Sequence, residues 1–330
     1  MHAPTISPMP NVPARMQARR PRSTSLWRRI AAKRWSYLYL APMLVLVAVF
    51  TIYPLFASLG YTFYKWNGIG DPTVFVGFQN FLQVMHDPIF WGSFQHTFIY
   101  MLILVPIQLT LALILALVLN NPKLRFAAFY RSVYFLPVVT SPAVIGVIFQ
   151  LILANFGDSI DKLLAALHIT TQQIDWLGDP RFALGCIIGI GIWNTLGYNL
   201  VYFLAGLQTI PTELYEAAKI DGANAFHRFT QVTVPMLRPI GLVIVILAVL
   251  GSLQVFDLVQ VLTQGGPYFA TEVVNTYIYH QAFGNGGINY TDPNIGFASA
   301  ASFFYGIILM LLAGLQVLIF RYARNRRITS

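Results

Sequence analysis

The chain has 330 residues, of which 56% are hydrophobic and only 10% charged, and its net charge is +9. A soluble domain carries about 25% charged residues, so this composition leaves too little polar surface for water and excludes a soluble enzyme or binding module. The basic excess is divided among separate loops, as shown below, and no nucleic-acid partner is expected.

In chain order, residues 1–37 form a tail rich in Pro and Arg, expected to be a largely disordered segment meeting anionic membrane lipid. A window of about 19 residues then finds six apolar runs: Leu38–Leu59, Phe94–Leu119, Phe129–Leu153, Phe182–Leu207, Pro239–Leu262 and Gly296–Phe320. Each is long enough to cross a hydrocarbon core of about 30 Å. The first exceeds the usual signal-peptide run of about 7–15 residues and reads as a retained anchor. The prolines within the spans (Pro42, Pro54, Pro106, Pro137, Pro142) are expected to be simple kinks, which neighbouring helices tolerate. Cys186 excludes an internal disulfide and reads as a small buried thiol. The fold expected is therefore an all-α polytopic membrane protein with six transmembrane helices, spanning 38–320, and a short basic C-terminus over 321–330.

Orientation follows from charge. Of 21 basic residues, all but Lys65, Lys162 and Arg181 fall in the tail, after the second span, after the fourth span and at the C-terminus. Most acids take the other side: Asp71, Asp87, Asp158, Asp161, Asp175, Asp179, Glu272 and Asp292. Cytoplasmic loops concentrate Lys and Arg, which predicts both termini inside (N-in/C-in) and a multi-pass protein of the cytoplasmic membrane.

Catalytic constellations are missing. The sequence holds no G-x-x-x-x-G-K-[ST], H-E-x-x-H or C-x-x-C, and its six histidines never fall at metal-ligand spacing. It is read as no enzyme, with no cofactor of its own. An ion-coupled secondary transporter would carry an internal repeat and paired intramembrane ionisable groups, and neither is visible.

Polar residues inside spans face a bundle interior or an aqueous path. Asn194, Tyr198 and Tyr202 recur at i, i+4, i+8 on one helix face. Gln254 and Asp257 are spaced i, i+3 in the fifth span, with Asp257 roughly 27 Å along that helix from Pro239 at about 1.5 Å per residue. Ser299 and Ser302 repeat the spacing beside Gly306. Interhelical hydrogen bonding is the alternative role, favoured for the serines and evenly matched for Gln254 and Asp257. The candidate path residues are Asn194, Tyr198, Gln254, Asp257 and Ser302. Gly185 and Gly189 form a small-xxx-small pair, expected to permit close helix packing. No Lys or Arg lies near a span midplane, which favours a neutral solute.

The loop over about 208–238 reads "ELYEAAKIDGANAFHRFTQVTVP" from Glu213 to Pro235. Pro211 suits a helix start and Glu213 complements its positive end. Leu214, Ala217, Ala218 and Asp221 share one narrow face, Gly222 is placed to end the helix in a left-handed conformation, and Asn224 can cap a second helix. A helix lying on lipid would show a basic polar face. Glu213, Glu216 and Asp221 beside a face of alanines suit a protein partner instead.

These residues resemble the EAA signature of permease subunits of binding-protein-dependent ABC transporters. The matching positions are Glu216, Ala217, Ala218, Asp221, Gly222, Phe229, Val232 and Pro235. The stretches "FVGFQNF", "YFLPVVTSPAVIG" and "FDLVQVLTQGGP" are similar to the carbohydrate-uptake branch, of the maltose or glycerol-3-phosphate permease type. The resemblance covers about Leu38 to Phe320 and implies a type I importer permease fold. It implies, too, that the loop seats in a cytoplasmic ATPase: Glu216 meeting basic groups, Ala217 and Ala218 allowing close approach, Gly222 setting the turn. The implied partners are a homologous second permease, two copies of the ATPase subunit, which would bind ATP and Mg, and an extracytoplasmic solute-binding protein. The implied activity is ATP-driven import of a sugar or sugar-like solute, with glycerol-3-phosphate or a polyol as the alternative.

Overall fold

A computed structural model describes residues 34–121, 123–168, 173–284 and 292–325. The rest of the expected tail, residues 1–33, and the last five residues of the expected basic C-terminus lie outside the described residues. Among those described, six helices are long and apolar enough to cross a membrane. The chain divides at Phe56 into two units.

α1 (Arg34–Val47) runs through a π turn at Ala48–Ile52 into α2 (Tyr53–Tyr61), whose first four residues belong to the first unit and whose last five belong to the second. The Tyr53 amide donates to Ala48 O, one residue further back than in an α-helix. The cause is the next residue: Pro54 has no N–H for Phe50 O and its ring would crowd that carbonyl. The helix widens instead of only bending.

After α2 the second unit continues with a two-stranded antiparallel ladder, β1 (Tyr64–Lys65) on β2 (Val74–Phe75), and the short α3 (Gln79–His86). Asp87 then starts α4 (Pro88–Leu119): its Oδ1 accepts from the Ile89 and Phe90 amides at 2.7 and 3.3 Å, and Pro88 needs no amide partner at that position. Its Oδ2 accepts from the Tyr277 hydroxyl at 2.6 Å.

The third span differs from expectation. It is two helices, α5 (Ala127–Val139) and α6 (Pro142–Ala166). Pro142 does not kink a continuous helix; it begins a new one. The residue before a proline is kept out of the α region, and Thr140 is already extended at φ −81°, ψ 135°. Only Pro142–Ser159 of this pair is long enough to cross a membrane.

α7 (Ala183–Gln208) is the centre of the unit, packed on α4 along its length. Ile187, Ile188 and Ile190 meet Tyr100 and Leu104 toward one end. Leu196, Leu200 and Phe203 meet Ala112 and Ala116 toward the other, joined by Leu237 and Ile244. The close approaches fall at Gly191 and Gly197. A Cβ at Gly197 would lie 2.5 Å from Tyr134 O and 2.6 Å from Val138 Cγ2, and one at Gly191 would collide with the Tyr100 hydroxyl. Gly185 and Gly189, the pair expected to do this, have open space where a Cβ would point. Gly189 lines a cavity of about 310 Å³ with Phe149, Leu153 and Trp176 and is not a point of close helix contact. Cys186, beside them, is only half-buried.

Two short helices follow, α8 (Thr212–Ile220) and α9 (Ala225–Arg228), and a π turn at Phe229–Thr233 joins α9 to α10 (Val234–Leu253). The fifth span is therefore helical from Ala225 and not only from Pro239. Its π turn repeats the earlier spacing: the Val234 amide reaches Phe229 O, and Pro235 comes next. The helix ends at Leu253. Gln254 to Phe256 are not helical before α11 (Asp257–Leu262) begins, so Gln254 and Asp257 do not share one helix face. The unit closes with α12 (Val274–Phe283) and α13 (Ile295–Asn325).

Candidate functional site

Two interruptions in spanning helices need partners for the backbone groups they release. At the first, the Pro137 carbonyl is left by the end of α5, and Asn194 of α7 donates Nδ2 to it at 2.9 Å in a buried bond. At the second, the buried Tyr305 hydroxyl donates to Leu253 O at 2.7 Å and Asn275 Nδ2 to Val255 O at 3.3 Å. Irregular backbone at membrane depth is sustained only where protein buries it or where it lines a cavity. Both conditions hold here. A cavity of about 400 Å³ opens between α4, α7, α10 and α11, and Pro142 and the segment Gln254–Asp257 are in its wall.

Four of the five path candidates come together there: Asn194, Tyr198, Gln254 and Asp257, with Tyr202 beside them. Tyr198 and Tyr202, both lining residues, are 47% and 43% exposed. Asn194 has one amide proton committed to Pro137. Gln254, the C-terminal cap of α10, and Asp257, in the first turn of α11, are both exposed. Ser302 is not in this wall. Its hydroxyl donates to Ala298 O at 2.9 Å, inside its own helix, as a threonine or serine in an apolar helix commonly does. Ser299 instead accepts from the Ser58 hydroxyl at 3.2 Å.

Residues that hydropathy passed over complete the wall. Gln108 of α4, 2% exposed, accepts from the Thr195 hydroxyl, and that hydroxyl lies 2.7 Å from Gly191 O as well. The one sequence signal for Gln108 was a polar side chain in an otherwise apolar run. Past α11, the turn leading to α12 is fixed by buried polar groups. Thr263 and Thr271 hydroxyls meet at 2.7 Å, Thr271 donates to Gly266 O at 2.6 Å, and Glu272 pairs with His280 at 3.2 Å with both side chains 1% exposed. Gly265 has φ +81°, and a Cβ there would collide with the Glu272 carboxylate.

The second candidate region, the loop after α7, has a complete helix stop. The amide of Gly222 (φ +78°) donates to Lys219 O at 3.1 Å and the Ala223 amide to Ala218 O at 2.9 Å. This paired closure needs a left-handed residue after the cap. Asn224 Oδ1 then accepts from the His227 amide at 2.8 Å and starts α9. One side of α8 is anchored: Tyr215 packs against the Leu200–Leu237 cluster and its hydroxyl meets that of the buried Thr233 at 3.0 Å. The other side is open. Glu213, Glu216, Ala217 and Asp221 are exposed, Leu214 is 41% exposed and Phe226 70%, while Ala218 and Phe229 are half-buried and Pro235 is exposed.

Residues 108–330 match the family of binding-protein-dependent transport system inner membrane components. The chain belongs to this family. This permease is 38% identical over 293 residues to LacF, the lactose transport system permease protein of Rhizobium radiobacter, covering 88% of this chain and 94% of that one. With MalF, the trehalose/maltose transport system permease protein of Thermococcus litoralis, it shares 31% over 285 residues, covering 86% and 94%. MsmF, of the multiple sugar-binding transport system of Streptococcus mutans, is 31% identical over 290 residues, covering 88% and 96%. In fold, the permease is similar to a chain of a bacterial ABC transporter that imports the acidic polysaccharide alginate. That likeness has a TM-score of 0.72 at 22% identity and covers 93% of this chain and 100% of the other. A second structure, of an alginate ABC transporter in complex with an alginate pentasaccharide-bound periplasmic protein, has a TM-score of 0.73 at 20% identity, covering 93% and 99%. The six apolar helices and the family together make the permease a multi-pass inner-membrane protein, and its relatives make it a transport subunit in the carbohydrate-uptake branch.

Proposed function

We propose that the permease forms half of a translocation path for a sugar or sugar-like solute and that its cavity is the solute-facing wall. The observation that carries this reading is the meeting of two broken helices at one cavity. Discontinuous spanning helices serve solute sites because they present free backbone and side-chain polar groups in an apolar setting, and the Tyr198 and Tyr202 rings offer faces for sugar C–H surfaces. Relatives named for lactose, trehalose/maltose and multiple sugars support the same class.

In this reading both termini and the loop at 208–238 are cytoplasmic, as the concentration of Lys and Arg there favours. The open face of α8 seats in a cytoplasmic ATPase subunit, present in two copies, and a homologous second permease completes the path. ATP and Mg bind to the ATPase, none to this chain. An extracytoplasmic solute-binding protein delivers the solute, in keeping with the family description and with the periplasmic protein bound in the structural neighbour. Closure of the ATPase dimer moves α8, and α9 with α10 carries that motion to the cavity. ATP supplies the free-energy difference between the two states that solute binding alone would not.

The test has two arms. A tagged chain isolated from its native membrane should bring with it an ATPase and a sister permease; a lone, transport-competent chain would overturn the assembly. Gly251 lines the cavity and has open space where a Cβ would point, so Gly251→Phe should fill the cavity without disturbing packing. Loss of uptake with normal membrane insertion is expected. Normal uptake by that variant would remove the cavity from the path.

A further inference from the structure

A second cavity, of about 310 Å³, lies between α6 and α7 and shares no lining residue with the first. Phe149 and Leu153 of α6 and Ile190 and Trp193 of α7 make it apolar, and among the described residues that line it none is Lys, Arg, Asp or Glu. It opens sideways: Trp193 is 45% exposed and Gly189 is exposed. Trp176 forms the rim. Its indole lies 6.2 Å from the Phe182 ring, and a Cβ at Gly157 would touch its Cδ1 at 3.4 Å. Gly157 and Phe182 stand at the ends of the spans Pro142–Ser159 and Ala183–Gln208. Trp176 therefore sits at a membrane surface, the level at which tryptophan is enriched. Its Nε1 is buried and has no hydrogen-bond partner among the described residues. A buried indole N–H usually has one, and leaving such a donor unpaired costs more than an ordinary hydrogen bond contributes.

We propose that this side cavity holds one acyl chain of a membrane phospholipid, with the ester carbonyl of that chain accepting from Trp176 Nε1. The lining selects this occupant. Water is a poor one, because it needs about 2–4 polar partners and the lining side chains offer no oxygen acceptor. An anionic headgroup would find no cation there, and Arg181, the basic residue nearest to Trp176 in sequence, is engaged with Asp179 at 2.7 Å. A phospholipid ester is neutral, accepts without donating, and stands where the chains leave the headgroups and enter hydrocarbon. That order, a donor at the rim and apolar walls beyond it, is the order of the cavity. Lipid tails are as apolar as the helices themselves, so hydrophobicity alone would hold no particular lipid, and the indole N–H supplies the preference. The proposal rests on the membrane-spanning fold and not on the solute path.

The test is native mass spectrometry of the complex, purified in mild detergent by a tag on this chain and titrated with two lipids. One is dioleoylphosphatidylethanolamine; the other is its diether analogue, with the same chains and headgroup but no ester carbonyl. The wild type should hold the diester at least about threefold more tightly than the diether, the gain of one hydrogen bond. Trp176→Phe should make the two equal. Gly189→Leu places a side chain in the cavity, where a Cβ meets nothing within 4 Å, and should weaken both lipids by about tenfold through steric exclusion. Gly185→Leu has the same open space but lies outside the lining, and should leave both unchanged. The comparison of the two lipids on the wild type needs no variant, so it decides even if Trp176→Phe fails to assemble. Equal affinity of the wild type for diester and diether, or lipid binding unaffected by Gly189→Leu, would overturn the proposal. Loss of a co-isolated subunit from Gly189→Leu with lipid binding intact would also overturn it, and would give this face to a protein partner.

Discussion

Asn194 donates Nδ2 to the Pro137 carbonyl at 2.9 Å, and this single bond ties the end of one interrupted helix to the middle of α7. The same residue then stands in the cavity wall. Its position follows from the break at Thr140: without a next helical turn the Pro137 carbonyl has no backbone donor, and the Asn194 amide supplies one in a buried bond. Asn194→Ala is expected to leave that carbonyl buried and unpaired, at a cost of about 1–3 kcal/mol. The melting temperature of the purified chain should fall, and an unchanged value would show that the carbonyl finds another partner.

Glycine spacing and glycine packing separate cleanly in α7. Gly197→Leu should drive its side chain into Tyr134 O and Val138, destabilising the α5–α7 contact by about 1–3 kcal/mol, the usual range for overpacking. Gly185→Leu meets open space and should change stability by about 0.5 kcal/mol or less. Equal melting temperatures for the two variants would contradict the assignment of Gly197 as the contact.

On the exposed face of α8, Glu216→Lys should abolish uptake while membrane insertion and the chain's own melting temperature stay unchanged, because Glu216 is exposed and touches no core cluster. Gly222→Pro should act differently. Proline fixes φ near −65° against the +78° found here, so it should lose uptake by unravelling the end of α8. Proteolysis of the loop distinguishes them: faster cleavage is expected for Gly222→Pro alone. Normal uptake by both variants would refute the coupling role.

Glu272 and His280 are buried together beyond α11. Glu272→Ala should remove a hydrogen bond to a charged-type acceptor and cost about 1.5–3 kcal/mol, loosening the turn that follows Asp257. Thermal unfolding reads the loss. Glu272→Gln, which keeps the volume and an acceptor for His280, should recover part of it; equal losses in the two variants would mean that the carboxylate's charge, and not its volume or a neutral acceptor, carries the interaction.

Much was legible in the residues alone, and it was the local part. Apolar runs and the length they need to cross a membrane place the spans, since hydropathy sums over neighbours in sequence. The loop at 208–238 was equally readable: Gly222 and Asn224 act within about one turn of themselves, so their geometry follows from residue type. What only the tertiary structure decided is which faces meet. A window of about 19 residues averages over the break at Thr140 and the one at Gln254–Phe256, so each read as one continuous helix. Periodicity put Gly185 and Gly189 on one face but does not say what lies opposite, and the contacts went to Gly191 and Gly197. The burial of Glu272 against His280 was not legible either, because charge counts carry no burial. The cavity itself, gathering Gln108, Asn194, Tyr198, Gln254 and Asp257 from three separate stretches, exists only once α4, α7 and α10 are packed. A helix's own sequence determines which side is polar, and packing against the other helices determines whether that side becomes a wall, a cap or a lipid-facing surface.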